Sequence, residues 1–453
     1  MRARPEPATM SHMTEGRLSL VKGLIEQAPD AAIRSLLQAL TADGGHDAGL
    51  SSVQRLVEVE ADDRRARNMA LSPVAPLCAA PGPFSGLLFP PRTLSLLWKA
   101  LKEATPADVV SARTLLNDWR DGCTSPDIFD DLCATAAAGL QAEGGPFAIA
   151  AQAADQGAGR AALIACLDIA PVVRRALAEL PDWLGRMTGE KAAKLRLTYR
   201  DAVAIADDAG PRFFEMLAAN LTEPWLILRI ISGVMDRPQE AYVSSSEVAT
   251  FGERVLSDID RRLAEVRAFK PTAGRQSAHL AAGTVHTVTL ELAEFDQSIQ
   301  LSADGVWGRR VAGQKRALAG ATEGLFKGAD SLVASALPMQ TVRVGPRTVR
   351  GPRLTHPPDV GTVEPAATLL TFIAEVRSSA ANGGFASART KTLEGLGNRL
   401  DAYVEEVLEE IRAGDEDVDP DRAREFLEIA AEFCGLVRDE QAAQIVRRRA
   451  HAA

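Results

Sequence analysis

Aromatic and sulfur-bearing residues are scarce in this chain. Three tyrosines and five tryptophans occur in 453 residues, too few for the aromatic-rich strands of a large β-sheet protein. The five cysteines, Cys78, Cys123, Cys133, Cys166 and Cys434, include no CxxC pair and are odd in number. That argues against a disulfide framework and a cysteine zinc site, and for a reducing compartment. No apolar run reaches the roughly 18 residues of a membrane span. The first sixteen residues hold no apolar h-region, so no secretory signal is expected. Lysine is rare as well: arginine outnumbers it 42 to 9, the usage of a high-GC bacterial genome.

The motifs of common cofactor chemistry are also missing. There is no GxxxxGK[ST], GxSxG, HExxH or EF-hand loop. Gly157-Ala158-Gly159-Arg160 follows an alanine-rich helical stretch and not a strand, so it predicts a helix break. Of the six histidines only His279 and His286 share a helical face, seven residues apart. That is too far for simple bidentate ligation, and a satisfied polar pair is expected. The sequence therefore implies no cofactor, no metal site and no catalytic residue.

What remains is rich in alanine, leucine, glutamate and arginine, which favour helix. The predicted fold is all-α: an irregular multi-helical bundle, or stacked helical hairpins, with one long helical hairpin. Residues 1–13 lack periodicity and predict a disordered tail. Residues 14–71 predict two or three helices, with Ile33, Leu36, Leu37 and Leu40 at helical spacing and Asp30 as an N-cap. The connection at 72–91 carries six prolines in the nineteen residues 73–91, which exclude a continuous helix. Its Leu77, Phe84, Leu87, Leu88 and Phe89 predict that it lies against a helical surface. A helical body follows over 92–270, in which the apolar stretch Trp225–Met235 is a buried core helix, too short to span a bilayer. Ser244-Ser245-Ser246-Glu247 has the spacing of a capping box, opening a helix with Phe251, Val255, Ile259, Leu263 and Val266 on one stripe.

The long hairpin occupies 271–337, with a break near Ser302–Gly305. Val288, Leu292, Phe295 and Ile299 keep a coiled-coil-like spacing in its first arm. Gly320, Gly324 and Gly328 recur on one stripe of the second and predict close approach of a neighbouring helix. A proline- and arginine-rich loop spans 338–365, and a C-terminal helical unit 366–453, with helices at 366–381, 385–413, 420–436 and 438–450. Asp419-Pro420 is an N-cap followed by proline at the first helical position.

Two charged segments stand out. Thr341 to Pro358 carries Arg343, Arg347, Arg350 and Arg353 and no acid, with Val342, Val344 and Val349 alternating as in a small hairpin about Gly345-Pro346. Arginines so placed suit phosphates or carboxylates, although no aromatic is interleaved for stacking on bases. Residues 401–421 hold ten acids, among them Glu405, Glu406, Glu409, Glu410, Asp415, Glu416 and Asp417, against Arg412 alone. The whole chain has a net charge of −9. That one segment accounts for it, and the remainder is formally neutral. An intramolecular contact is expected in which the acidic segment covers the arginine loop.

The function these features predict is a non-catalytic helical scaffold or adaptor in the cytoplasm, with a protein partner or self-association. The first alternative is a binder of nucleic acid or anionic phospholipid through Arg343–Arg353, with contact to a membrane only at its surface. The second is a helical magnesium-dependent enzyme acting on a diphosphate, which would need Asp127, Asp130 and Asp131 to converge with Asp201, Asp207 and Asp208.

Overall fold

Long runs of residues that lose little side-chain entropy in a helix become the nineteen α-helices found among the described residues of the computed structural model. The structure describes residues 15–42, 48–118, 126–206, 208–235, 238–344, 347–413 and 419–453; the expected tail at 1–13 lies outside them. The chain divides into two compact units, Met1–Val234 and Met235–Ala453. The division falls inside the segment 92–270 that was expected to be one body. Pro238 follows three residues later, a turn signal that resembles the others within 92–270 and does not by itself mark a boundary between units.

In unit 1, α1 (Glu15–Gln27), α2 (Asp30–Ala42) and α3 (Ala48–Ala70) bury a small core of Ile25, Ile33 and Val57, with Val21, Leu37, Leu40 and Leu56 against it. Asp30 begins α2, but its carboxylate faces Arg64 at 2.9 Å and Arg67 at 2.6 Å. The connection then folds onto the helices, with Leu77 and Phe89 buried and the Phe89 N–H donating to the Leu77 carbonyl. There follow α4 (Arg92–Ala104), α5 (Pro106–Asp118), α6 (Ile128–Gln141), α7 (Ala148–Ala154), α8 (Arg160–Leu184), α9 (Gly189–Val203), α10 (Ala209–Asn220) and α11 (Ile227–Met235). Gly159, at φ +97°, makes the expected break before α8. α8 is the central helix, packed on α6, α9 and α10. In α11 Ile227, Leu228, Ile230 and Ile231 are buried, as a core helix requires.

Buried arginines link these helices end to face. The last carbonyls of a helix have no intrahelical donor and carry the negative end of its dipole, so a guanidinium is a suitable cap. Arg64 of α3 donates to Ile25 O (2.9 Å), Glu26 O (3.2 Å) and Ala28 O (2.6 Å) at the end of α1. Arg174 of α8 donates to Met69 O (2.9 Å) and Ala70 O (2.6 Å) at the end of α3, and to Ser72 Oγ and Asp130 Oδ1. Arg229 of α11 donates to Leu184 O at the end of α8. The ends of α1, α3 and α8 are thus each capped from a later helix.

Unit 2 holds α12 (Glu240–Val243), α13 (Ala249–Ala268), α14 (Arg275–Ser298), α15 (Val306–Ala336), β1 (Met339–Val344), β2 (Arg347–Pro352), α16 (Val360–Glu375), α17 (Ala386–Ala413), α18 (Pro420–Val437) and α19 (Glu440–Ala452). The break between α14 and α15 is where it was expected. The two arms are not a packed pair, however: both lie mainly against α16 and α13, and α15 also against α17. Residues 366–373 of α16 are buried throughout, so this helix takes the place the second arm was expected to fill. Val288, Leu292, Phe295 and Ile299 are buried in that multi-helix core. α16 starts six residues earlier than its prolines suggested, because Asp359 accepts from the Gly361 N–H at 2.9 Å and caps it.

The expected capping box is not formed. Ser244 to Val248 make a turn, and Val248 at the start of α13 gives no side-chain cap. Ser245 Oγ instead donates back to Ala241 O (2.9 Å) and Ser246 Oγ to Val243 O (2.7 Å). The serines close α12, because hydroxyl groups satisfy carbonyls as readily as amides. The stripe itself is correct, since Phe251, Val255, Ile259, Leu263 and Val266 are buried.

The long helix α15 is capped from a distance. The Glu240 carboxylate, 3% exposed, accepts from the N–H groups of Ser302 (2.9 Å), Trp307 (2.8 Å) and Gly308 (3.3 Å). A Cβ on Gly305 would stand 2.1 Å from Glu240 Oε1, and one on Gly308 1.8 Å from Ser302 O. Those glycines are required by close approach.

Gly320, Gly324 and Gly328 are not. A Cβ at Gly320 or Gly324 would meet nothing within 4 Å, and one at Gly328 only Leu369 Cδ2 at 4.0 Å. The buried stripe of α15 includes Val311, Gln314, Leu318, Thr322, Phe326, Ala329 and Val333; Leu318, Thr322 and Phe326 are each two positions from a glycine, and Gly320 and Gly324 are exposed. The helix-packing role expected of them is therefore incorrect. Their replacement should relieve backbone entropy without a clash: Gly320→Ala and Gly324→Ala are each expected to stabilise the protein by about 0.5–1 kcal/mol. Urea unfolding followed by circular dichroism would show it, and a loss of stability would restore the close-packing role.

Candidate interaction surface

The arginine loop forms the antiparallel ladder that its alternating valines suggested, pairing Met339 with Pro352, Thr341 with Arg350, Val342 with Val349, and Val344 with Arg347. Arg343 lies on β1 opposite Thr348, and Arg347 opens β2. Their side chains, like residues 345–346 and 414–418, are outside the described residues. Two strands alone are marginal in water, and here β2 lies on α17. The Arg353 N–H donates to Pro338 O at 2.9 Å and closes the base of the ladder. Arg422 of α18 holds the departing chain by Leu354 O and Thr355 O. Arg350 and Arg353 are both exposed.

The acidic helix turns two sides to two sets of partners. Toward the hairpin it presents Glu406, whose carboxyl is raised by burial and by Glu409 and Glu410 but lowered by the Arg350 guanidinium. Gly351 sits where a Cβ would be 3.4 Å from Glu410 Oε1. On the other side Asp401 binds Arg438 through both oxygens, at 2.6 and 2.9 Å. Glu405 accepts from Arg449 of α19 at 2.6 Å, which holds its carboxyl below the usual range. Glu409 is exposed, while Asp415, Glu416 and Asp417 are outside the described residues. Asp419 caps α18 with Pro420 at its first position. The acids thus serve α18 and α19 as well as the hairpin, which the sequence pattern did not suggest. No helix is long and apolar enough to cross a membrane among the described residues.

No family model, curated protein or solved structure matches this chain.

Several of the other candidate groups are paired with neighbours. Asp130 is paired with Arg174 at 2.9 Å and Asp208 with Arg212; Asp207 lies outside the described residues. Among the described residues no three His, Cys, Asp or Glu side chains gather closely enough to hold a metal. His279 Nδ1 stands 3.5 Å from Glu375, and His286 Nδ1 is 3.2 Å from Ser379 Oγ, so both are satisfied by the end of α16 and the turn after it. Burial pushes the Cys133 and Cys434 thiols up to about 11, and those of Cys78 and Cys166 to about 12. They are protonated at neutral pH and poor nucleophiles. Cys123 is outside the described residues.

Sequence reasoning missed one polar group at this surface. Tyr403 is 3% exposed, and its hydroxyl has no hydrogen-bond partner, like Glu406 Oε2. It lies four residues before the buried Val407 on α17, but no local pattern marks an orphan donor. An unmet buried hydroxyl costs about 1–3 kcal/mol. Tyr403→Phe should therefore raise stability, by about 1 kcal/mol in urea unfolding; a comparable loss would mean that the hydroxyl has a partner.

Proposed function

We propose that the chain is a non-catalytic helical scaffold or adaptor of the cytoplasm, and that Arg350 and Arg353 dock an acidic segment of a protein partner. The supporting observation is that exposed arginines are carried together on one short ladder, with no acidic residue between Thr341 and Pro358. Many other guanidiniums are consumed by helix-end carbonyls or by carboxylates, as at Arg64, Arg174, Arg422, Arg438 and Arg449. Arg350 and Arg353 are exposed and make no side-chain hydrogen bond among the described residues, although Arg350 is near enough to Glu406 to lower its carboxyl. Guanidinium forks held on a short ladder suit carboxylates and phosphates with two parallel hydrogen bonds. The same exposure supports a second reading, in which the partner is nucleic acid or anionic phospholipid and binding falls steeply with salt.

Affinity capture from the source cells, with the wild type and an R343Q/R347Q/R350Q/R353Q variant, separates these. The proposal predicts a protein partner retained in stoichiometric amount after nuclease and detergent treatment. The variant should lose at least tenfold of it. Retention that nuclease or detergent abolishes would replace the adaptor reading with the second one. Equal retention by both proteins would remove the arginines from the function.

A further inference from the structure

Two carboxyl groups meet in the interior of unit 2, and only one is hydrogen-bonded. Asp258 of α13 and Glu291 of α14 both have side chains of 0% exposure. Asp258 takes the available guanidiniums: Arg262 Nε donates to its Oδ2 at 2.7 Å and Arg261 Nε to its Oδ1 at 3.0 Å. Arg262 Nε stands 3.4 Å from Glu291 Oε1, and neither Glu291 oxygen has a hydrogen-bond partner. An ionised carboxylate in that position would be desolvated, beside another anion, and left with only a distant share of the Arg262 guanidinium that Asp258 already holds.

The remaining charges on the adjoining elements are committed elsewhere. Arg310 of α15 binds Glu253 and Asp260, and Lys315 binds Asp296. On α16, Glu364 faces Arg275 and Glu375 faces His279. On α14 itself Glu294 accepts from Ser298 at 2.6 Å. Glu265 takes a further share of Arg261. Nothing in this set is placed to neutralise a second anion.

We infer that Asp258 and Glu291 form a proton-operated latch between α13 and α14, closed while Glu291 keeps its proton and loosened when that proton is lost. Burial above all, with the Asp258 charge adding to it and Arg262 and Arg261 opposing, pushes the Glu291 carboxyl from 4.5 up to about 9. The folded state then holds a proton that the opened state releases. The stability this confers is complete below about 4.5 and declines as pH rises toward about 9, where the folded state ionises too. Across that window the opening equilibrium of α14 should rise by up to about tenfold per pH unit. The latch concerns neither the hairpin nor its partner, so it stands or falls apart from the adaptor reading.

Hydrogen exchange on the full chain tests it, with peptides covering 285–298 measured at pH 6 and pH 8 and corrected for intrinsic exchange. The wild type should lose up to about a hundredfold in protection. Glu291→Gln, neutral at both values, should lose none. Asp258→Asn frees Arg262 for Glu291 and should flatten the dependence by lowering the pH at which Glu291 ionises. An equal loss in wild type and Glu291→Gln would overturn the latch, and so would no loss in the wild type. Should the variants not fold, infrared spectra of the wild type at pH 7 and pH 10 decide it. A carboxylic-acid carbonyl band present at pH 7 and absent at pH 10 supports the latch, and its absence at pH 7 overturns it.

Discussion

The capping of one helix's last carbonyls by an arginine from another is the interaction on which unit 1 depends. A long helix leaves four carbonyls without intrahelical donors, and burying them bare is costly. Arg64, Arg174 and Arg229 meet that demand at the ends of α1, α3 and α8, and each comes from a helix later in the chain. The caps therefore fix which helices are neighbours and where each one stops. They also give a physical use to the preponderance of arginine over lysine, because a planar fork reaches two or three carbonyls where an ammonium offers one compact charge. Arg389 of α17 repeats the device in unit 2, donating to Ile373 O near the end of α16 at 2.8 Å.

Unit 2 meets the opposite need with carboxylates. Glu240 satisfies three N–H groups where α15 begins, and Asp359, Asp419 and Asp439 cap α16, α18 and α19. Where that economy fails, it fails in identifiable places. Glu291, Tyr403 and one oxygen of Glu406 are buried without partners. Glu406 is the one of these that faces the hairpin, where the Arg350 guanidinium lowers its carboxyl.

Much of the helical architecture was legible because periodicity and proline spacing are local. The break between α14 and α15, the buried α11, the helices from α17 onward and the valine-paired ladder all follow from residues within a few turns of one another. The failures are equally instructive. Ser244–Glu247 has the spacing of a capping box, but the choice between amides ahead and carbonyls behind is set by where α12 ends. The glycines of α15 share a stripe, yet a stripe alone does not say whether a helix lies against it. Glu240, Arg174 and the Asp258–Glu291 pair act on groups dozens of residues away, and no local pattern announces them. For the surface, the charges of the hairpin and of α17 were visible from the start. The diversion of Asp401 and Glu405 to Arg438 and Arg449 was not.

Arg174 is the most direct point at which to test the central role of these caps. It is 8% exposed and bridges the end of α3, Ser72 and Asp130. Urea unfolding of wild type, Arg174→Lys and Arg174→Met, monitored by circular dichroism, is the decisive measurement. The account predicts a loss of about 3–5 kcal/mol in the methionine variant, as for breaking a buried ion pair. Lysine should recover less than half of it, because the charge is kept while the fork is lost. A lysine variant as stable as the wild type would show that charge alone suffices, and an unaffected methionine variant would contradict the capping account.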